Sequence, residues 1–329
     1  MMKNNEPTPV HLLSGFLGSG KTTLLANMLS HFKSEGLKPA VIMNELGEVN
    51  LDGELVDREV PMAEMLSGCI CCSIRGDLGV EIGALIEKHR PDVIVIESTG
   101  AANPLETIDG ITDASMYQTI ALRSVITVAD GHELLERSKS GKGRTFKLMK
   151  EQIRCATMLV LNKSDKLDPE SLVEAQQLLR EMNGHAPILT TERCGVQDWS
   201  WLENGSAEAL PVRTADKEHS AQHDHGHAGS HHSHEHVMVA TYYMDKPVSS
   251  EAFEQLLRGL PDNIYRAKGI LTFSDTSSGS RFLFQYAYRE SDYIRIEPQG
   301  KVNDVAVFIG EHFSRERLDG EIARLLGKS

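Results

Sequence analysis

The segment Gly15–Thr22, with the sequence GFLGSGKT, constrains this chain more than any other feature. It fits the pattern GxxxxGK[ST], in which glycines let the backbone curl until its N–H groups point at phosphate oxygens. Lys21 can then reach the β- and γ-phosphates, and the Thr22 hydroxyl can coordinate Mg²⁺. An apolar strand from Pro9 to Ser14 precedes the loop, and a helix from Lys21 to Glu35 follows, so the helix dipole favours the same anion. The predicted phosphate-binding residues are Gly15, Gly18, Ser19, Gly20, Lys21, Thr22 and Thr23.

A second motif predicts which base is bound. Asn162-Lys163-Ser164-Asp165 follows the apolar run Met158–Leu161, and so lies at the carboxyl end of a strand, where open α/β sheets bind ligands. The Asp165 carboxylate can accept hydrogen bonds from N1–H and the 2-amino group of guanine, whereas adenine offers neither donor. Asn162 is predicted to reach the other edge of the ring, and the Lys163 stem to cover its face. The alternative is a helix-capping turn, because Leu167-Asp168-Pro169 opens a helix immediately afterwards.

The segment Asp92–Gly100 reads as a buried strand that ends in a carboxylate and a glycine turn. Glu97 is predicted to hold a Mg²⁺-bound water or to orient the water that attacks the γ-phosphate, and Gly100 to offer its N–H to that phosphate. With Lys21 and Thr22, Glu97 completes the predicted catalytic set. The segment Asn44–Glu48 follows the second predicted strand, Ala40–Met43. Its side chains are candidates to contact either Mg²⁺ or the transferred metal.

Apolar runs of strand length alternate with helical patterns through about residue 205, which predicts an α/β fold with a mostly parallel sheet covered by helices. The predicted strands are Pro9–Ser14, Ala40–Met43, Asp92–Ile96, Ser124–Val128, Met158–Leu161 and Pro187–Thr190. Residues 1–205 are therefore assigned to one domain of the P-loop class. Residues 206–236, rich in His, Ala, Gly and Ser, are predicted to be a flexible linker.

Residues 237–329 are predicted to form a small α+β domain. Its predicted strands are Val237–Tyr243, Ile264–Phe273, Arg281–Tyr288 and Val305–Ile309, and its helices are Glu251–Leu260 and Arg315–Leu326.

Three of the five cysteines lie within four positions, at Cys69, Cys71 and Cys72. Thiolates this close can share one soft metal ion, and zinc prefers sulfur ligands completed by His or a carboxylate. Glu45, Glu48 and Asp77 are local candidates for a further ligand. The alternative is a cluster of small buried apolar cysteines, but the flanking glycine, serine and arginine residues favour a loop.

The predicted linker holds eight of the fourteen histidines within eighteen residues. They are His219, His223, His225, His227, His231, His232, His234 and His236. Neutral imidazoles at this density bind Zn²⁺, Co²⁺, Ni²⁺ or Cu²⁺ loosely and lose that ability as the pH falls through about 6.5. A solvated low-complexity linker is the alternative.

In this order, the motifs resemble the CobW family of GTP-dependent metallochaperones. The resemblance rests on the GFLGSGKTT loop, the Asn44-Glu45-x-Gly47-Glu48 segment, the Cys69-x-Cys71-Cys72 motif, the Glu97-Ser98-Thr99-Gly100 turn, the Asn162-Lys163-x-Asp165 motif and Arg266-Ala267-Lys268-Gly269. It implies a P-loop G domain, related to the nickel-insertion GTPases of urease and hydrogenase, followed by a CobW C-terminal domain. It also implies GTP, Mg²⁺ and Zn²⁺ as ligands, with Co²⁺ or Ni²⁺ as alternatives to zinc, and Cys71 as a principal metal ligand helped by Glu48.

By the same resemblance the chain is a GTPase that delivers its metal to a client metalloprotein, with hydrolysis resetting the switch. Intrinsic hydrolysis is expected to be slow and to be raised by metal or client. Met1–Pro9 lacks the Cys-Pro docking segment of some relatives, so the resemblance does not identify the client protein. A zinc buffer or sensor, and a cobalt chaperone for cobalamin synthesis or nitrile hydratase activation, are the alternative functions.

The net charge of −13 argues against nucleic acid and anionic membranes as partners. No apolar run approaches the length that spans a bilayer, so a cytoplasmic location is expected. A homodimer is left open.

Overall fold

A computed structural model describes residues 6–45, 60–66, 74–140, 143–203, 237–276, 280–287, 289–298 and 300–328. Two β-sheets and the helices that cover them account for most of these residues. The strands of the first part are β1 (Thr8–Ser14), β2 (Pro39–Glu45), β3 (Met62–Leu66), β4 (Val93–Glu97), β5 (Ile120–Asp130), β6 (Met158–Asn162) and β7 (Ile188–Thr190). Its helices are α1 (Lys21–Ser34), α2 (Ile74–His89), α3 (Pro104–Ser115), α4 (Gly131–Ser140), α5 (Arg144–Arg154), α6 (Pro169–Met182) and α7 (Ser200–Glu203).

The first sheet is parallel and has seven described strands in the order β3-β2-β4-β1-β5-β6-β7. The predicted α/β fold is confirmed, and each predicted strand is present within a few residues of its expected bounds. Because all strands run the same way, their carboxyl ends lie at one edge of the sheet. Ser14, Glu97 and Asn162 end β1, β4 and β6 there, which brings the three nucleotide motifs to the same edge.

The second part of the chain forms an antiparallel sheet of five described strands in the order β11-β10-β9-β12-β8. Its elements are β8 (Val237–Tyr243), α8 (Ser250–Arg258), β9 (Ile264–Thr272), β10 (Arg281–Ala287), β11 (Glu290–Ile296), β12 (Val305–Glu311) and α9 (Arg315–Leu325). Phe253, Phe284 and Phe308 are fully buried between this sheet and its two helices. The α+β module predicted for this part is therefore present.

Two strands lie outside the sequence-predicted set. Among the strands that the structure describes, β3 pairs only with β2 and β11 only with β10, so each is at the edge of its sheet. An edge strand has no hydrogen-bonded neighbour on one side. It can therefore carry more polar and charged residues than a central strand. The sequence of β11, ESDYIRI, is correspondingly polar, which hid it from a search for apolar runs.

The two sheets meet across one hydrophobic core. Val10, Leu12 and Ile96 of the parallel sheet and Val305 and Val307 of the antiparallel sheet belong to the same buried cluster. Polar contacts reinforce it: the Tyr243 hydroxyl accepts from the Ile120 N–H at 2.8 Å and donates to the Ile120 carbonyl at 2.7 Å. The two parts are therefore joined by packing as well as by the chain.

A buried histidine of β1 supplies a pH test of the packing between the parallel sheet and α1. His11 is 3% exposed, its Nδ1 lies 2.7 Å from the Ser124 Oγ, and its ring stacks on Phe32. Burial, with a smaller effect of the Arg123 charge, lowers the pKa of His11 to about 4. As the pH falls below 6.5 the unfolded chain takes up a proton that the folded chain does not, so the folded state is destabilised between pH 6.5 and about 4.

For the His11→Asn variant we expect this part of the acid sensitivity to disappear. Urea unfolding at pH 7.5 and pH 5 measures it, and the wild type should lose about 2 kcal/mol more than the variant over that interval. His132→Asn, at an exposed position, is the control and should behave as the wild type. Equal losses in wild type and His11→Asn would show that His11 is protonated in the folded protein.

Among the described residues, no helix combines the length and apolar character that a membrane span requires.

Candidate functional site

The loop between β1 and α1 forms a cradle of backbone amides. Gly15, Gly18 and Gly20 have φ angles of 137°, 75° and 111°, all in the region that favours glycine. A Cβ on Gly20 would lie 2.4 Å from the Asn162 Nδ2, so a side chain there would displace the neighbouring strand end. The Ser19 N–H donates to the Phe16 carbonyl at 3.1 Å and closes the turn. This geometry suits the phosphate site that the motif predicts.

Helix α1 begins directly after the cradle. Gly20 is its N-cap residue and provides no side-chain cap, so the first N–H groups of the helix are left for an anion. The Lys21 Nζ donates to the Phe16 carbonyl at 3.4 Å, and Lys21 is 8% exposed. The predicted phosphate lysine is thereby held across the loop, while Thr23 is exposed at its edge.

Thr22 and Glu97 meet across the end of the sheet. The Thr22 Oγ1 donates to the Glu97 Oε1 at 3.1 Å, and Glu97 is 6% exposed. The contact follows from the pairing of β1 with β4, in which Leu13 lies opposite Glu97. A hydroxyl and a carboxylate form the hard oxygen set that Mg²⁺ prefers, so these two residues fit the ion that the motif implies.

The backbone after Glu97 is packed tightly against the phosphate loop. A Cβ on Gly100 would lie 2.5 Å from the Leu17 nitrogen, so the two segments touch through main-chain atoms. Ser98 is tied to the Leu13 carbonyl through its N–H at 2.9 Å and its Oγ at 3.1 Å. The Gln152 Nε2 of α5 donates to the Gly100 carbonyl at 3.1 Å. Gln152 has no motif around it, and its role in holding this turn is visible only in the folded chain.

Asn162 and Lys163 hold the phosphate loop to β6. The Asn162 Nδ2 donates to the Ser19 carbonyl at 2.9 Å, and the Lys163 Nζ donates to the Gly18 carbonyl at 2.7 Å. Lys163 also pairs with Asp130, at the end of β5, at 2.7 Å. The expectation that the Asn162 amide reaches the edge of the base stays a prediction, and the structure shows a second task for this side chain. Asn162 is 2% exposed, and its amide is used to fix the loop from behind.

Asp165 is placed differently from its two neighbours in the motif. It lies in the 3-10 turn Ser164–Lys166, and its side chain is exposed. The capping role belongs to Asp168, whose Oδ1 accepts from the Ser171 N–H at 2.8 Å at the start of α6. The helix-capping alternative for the motif therefore applies to Asp168, and the Asp165 carboxylate is available to a base.

The loop after β7 supports this side of the site. The Cys194 N–H donates to the Asn162 Oδ1 at 2.8 Å, and the Cys194 Sγ donates to the Gly20 carbonyl at 3.3 Å. Arg193 and Cys194 both have positive φ, at 49° and 54°, a conformation that is rare for residues with a side chain. Burial raises the pKa of the Cys194 thiol to about 12, so it stays protonated. The position after a strand end was the only sequence signal for Cys194.

Most of the predicted metal ligands lie outside the part of the chain that the structure describes. Cys69, Cys71, Cys72, Glu48, His223, His225, His227, His231, His232, His234 and His236 lie outside the described residues. Glu45 ends β2 and Asp77 lies in α2, but only their backbone is described. Within the described part of the chain, no group of three His, Cys, Asp or Glu side chains could hold a metal ion.

The helix that follows the cysteine segment in the chain, α2, packs on a helix that starts near the nucleotide edge. α2 begins at Ile74 and packs along α3, which follows the Glu97–Gly100 turn. At Gly79 the two helices are close enough that an added Cβ would make an ordinary van der Waals contact, at 3.9 Å, with Ala114 of α3. The segment that carries the cysteines is thus joined to the helix that leaves the nucleotide edge.

Two known protein families match most of the chain. The family described as "CobW/HypB/UreG, nucleotide-binding domain" matches residues 9–190, more than half of the chain. The family described as "Cobalamin synthesis protein cobW C-terminal domain" matches residues 238–326.

Several curated proteins are similar to this chain. "Zinc chaperone YjiA" of Escherichia coli is 31% identical over 97% of this chain and 99% of that protein. "Zinc chaperone YeiR" of the same organism is 34% identical over 67% of this chain and 64% of that protein. "Zinc-regulated GTPase metalloprotein activator 1" of Dictyostelium discoideum is 35% identical over 56% of this chain, which spans about half, 46%, of that relative. On the family match and the site geometry together, the chain belongs to the CobW/HypB/UreG family of nucleotide-binding proteins.

Proposed function

We propose that this chain is a GTP-hydrolysing metallochaperone that binds a transition metal, in the first place zinc, and passes it to a client metalloprotein. The names of the similar proteins YjiA and YeiR, both zinc chaperones, support zinc as the cargo. The observation that carries the proposal is the packing of α2 on α3. It connects the segment of Cys69, Cys71 and Cys72 with the turn that lies against the phosphate loop.

In this proposal each nucleotide residue has a defined task. The cradle amides and Lys21 bind the phosphates, and Asp165 binds guanine. Thr22 and Glu97 hold Mg²⁺, which when bound neutralises charge on the β- and γ-phosphates. The hydrogen bond from Thr22 to Glu97 favours this role of Glu97 over direct orientation of the attacking water. Gly100 lies against Leu17 of the phosphate loop. Its N–H is proposed to bind the γ-phosphate, so that this turn moves when the phosphate leaves.

The metal is the cargo of this cycle, and its proposed ligands are Cys69, Cys71 and Cys72 with Glu45 or Glu48. The histidine-rich segment is proposed to collect metal at higher concentration near this site. Residues 1–205, 206–236 and 237–329 are proposed as the G domain, linker and C-terminal domain. The cytoplasmic location and the homodimer stay predictions from the sequence.

The proposal predicts that zinc affinity depends on the nucleotide. Zinc binding is measured by chelator competition with a non-hydrolysable GTP analogue, with GDP and without nucleotide. The full chain is used, with the eight histidines between His219 and His236 replaced by serine to remove loose binding. We expect about a tenfold difference in zinc Kd between nucleotide states, which corresponds to roughly 1.4 kcal/mol of coupling.

Cys71→Ser in the same background should abolish this difference, and Cys155→Ser, at a buried cysteine far along the chain, is the matched control. Equal zinc affinity in all three nucleotide states would contradict the chaperone. It would favour the alternative of a zinc buffer or sensor, in which the metal ligands and the phosphate switch act independently. Repeating the titration with Co²⁺ and Ni²⁺ shows whether the nucleotide-dependent difference in affinity is specific to zinc. The difference is the informative quantity, because the affinities themselves follow the same general order at most such sites.

A further inference from the structure

Two basic residues of the antiparallel sheet bind the C-terminal part of α3 through hydrogen bonds and ion pairs. The Lys268 Nζ of β9 lies 2.5 Å from the Asp113 Oδ1 and 3.1 Å from the Asp109 carbonyl. Arg266, two residues earlier on the same strand, pairs with Asp109 at 2.8 Å. Asp109 lies at the middle of α3 and Asp113 near its end, so this helix is held by charges from another part of the chain.

Lys268 is unusually well enclosed for a lysine. It is 4% exposed, while most lysines keep the ammonium group in water. Burial lowers the pKa of Lys268, and the carboxylates of Asp113 and Asp109 oppose that shift. Removing one partner of such a pair leaves the other charge buried and uncompensated, so the arrangement holds the helix in one position.

The near end of α3 is tied to the nucleotide edge. α3 begins at Pro104, with Asn103 as its N-cap, only four residues after Gly100. The Gln152 Nε2 donates to the Gly100 and Ala102 carbonyls at 3.1 Å and 3.3 Å. These bonds fix the short segment that joins the turn to the helix. A shift of α3 along its axis would therefore be transmitted to Gly100, which lies against Leu17 of the phosphate loop.

We propose that Lys268 is a positioning residue for GTP hydrolysis: by holding Asp113 it sets the position of α3, and through α3 the position of Gly100 and Glu97. This inference rests on the proposed function, because it assumes that GTP is hydrolysed at the edge of the parallel sheet. It adds a requirement that the nucleotide motifs do not contain, namely that the antiparallel sheet must be docked for the turn after β4 to be correctly placed.

The test compares steady-state GTP hydrolysis and nucleotide affinity in the full-length protein with Mg²⁺. For Lys268→Met we expect kcat to fall at least fivefold, while the Kd values for GDP and for a GTP analogue stay within twofold of wild type. Lys268→Arg, which keeps the charge, should recover at least half of the lost activity. Asp113→Asn should reproduce the loss, and the double variant should lose no more than either single one, because the two residues act as a pair.

Arg281→Met is the matched control. It breaks the Arg281–Asp304 ion pair in the same antiparallel sheet, and neither of those residues bonds to α3 in the described structure. Its kcat should stay within twofold of wild type even if its melting temperature falls. If Lys268→Met does not fold, Asp113→Asn decides, since the Asp113 side chain is 39% exposed and tolerates substitution better.

Two results would overturn the inference. One is a folded Lys268→Met or Asp113→Asn protein with wild-type kcat. The other is an equal loss of kcat in Lys268→Met and Arg281→Met, which would show a general effect of stability. A wild-type protein that hydrolyses no GTP would instead overturn the proposed function itself.

Discussion

An Asp165→Asn variant should lose GTP affinity by about 10³-fold and gain affinity for xanthosine triphosphate. The carboxylate accepts two hydrogen bonds, from N1–H and the 2-amino group of guanine, and the amide can accept only one of them. Xanthine carries a 2-oxo group in place of the amino group, so the Asn Nδ2 can donate where guanine offers no acceptor. Competition of the two triphosphates against a fluorescent GDP measures the ratio of the two affinities.

Asp168→Asn is the matched control for this exchange. Asp168 is also an exposed acid of the same loop, but it caps α6 through the Ser171 N–H, so its replacement should affect stability by about 1 kcal/mol or less and leave the base preference unchanged. An Asp165→Asn protein that binds GTP within threefold of wild type would show that another group reads the base. The guanine assignment would then fall, while the phosphate site would stand.

A Glu97→Gln variant should lower kcat for GTP hydrolysis by about 100-fold, with GTP affinity changed far less. Glu97 ends β4 and accepts the Thr22 hydroxyl at 3.1 Å, so it shares the predicted Mg²⁺ position with that threonine. The neutral amide is a weaker ligand for a divalent cation, and the variant should therefore need a higher Mg²⁺ concentration for half-maximal activity. Phosphate release measured over a Mg²⁺ series gives both quantities.

Glu106→Gln serves as the control for the lost charge. Glu106 is exposed in the first turn of α3, close to Glu97 in sequence but away from the Thr22 contact. The kcat of the Glu106→Gln variant should match wild type. A Glu97→Gln protein with kcat within threefold of wild type would remove Glu97 from the catalytic set. A 100-fold loss with an unchanged Mg²⁺ requirement would instead assign Glu97 to the attacking water.

The nucleotide residues were predictable because each motif is contiguous in the chain. A loop such as Gly15–Thr22 has its geometry determined by its own glycines and its adjoining helix, so the pattern of residues carries the chemistry. The parallel sheet then brings Glu97 and Asp165 to the same edge, since β4 and β6 run in the same direction and their carboxyl ends lie on the same side. The alternation of strands and helices was also readable, because buried parallel strands are apolar along their whole length.

Residues that act by reaching across the fold were not predictable in this way. Gln152 and Cys194 lie in no motif, yet each donates a hydrogen bond that fixes a loop of the site. Asn162 belongs to a motif, but its hold on the phosphate loop was not predicted, because the sequence does not show that the Ser19 carbonyl lies 2.9 Å from its amide. The edge strand β11 was missed because its sequence, ESDYIRI, is polar, whereas β3, MAEML, is apolar but only five residues long and interrupted by Glu64.

The sequence by itself determined the fold class, the phosphate loop, the candidate base reader and the cysteine segment, because these depend on residues that are neighbours in the chain. Only the tertiary structure decided how they are connected. The docking of Lys268 on Asp113 brings together residues separated by 155 positions, and it depends on the shared core of two sheets. A pair of opposite charges so far apart in sequence has no local pattern, and the burial of Lys268, which makes the loss of its partner costly, exists only in the folded chain.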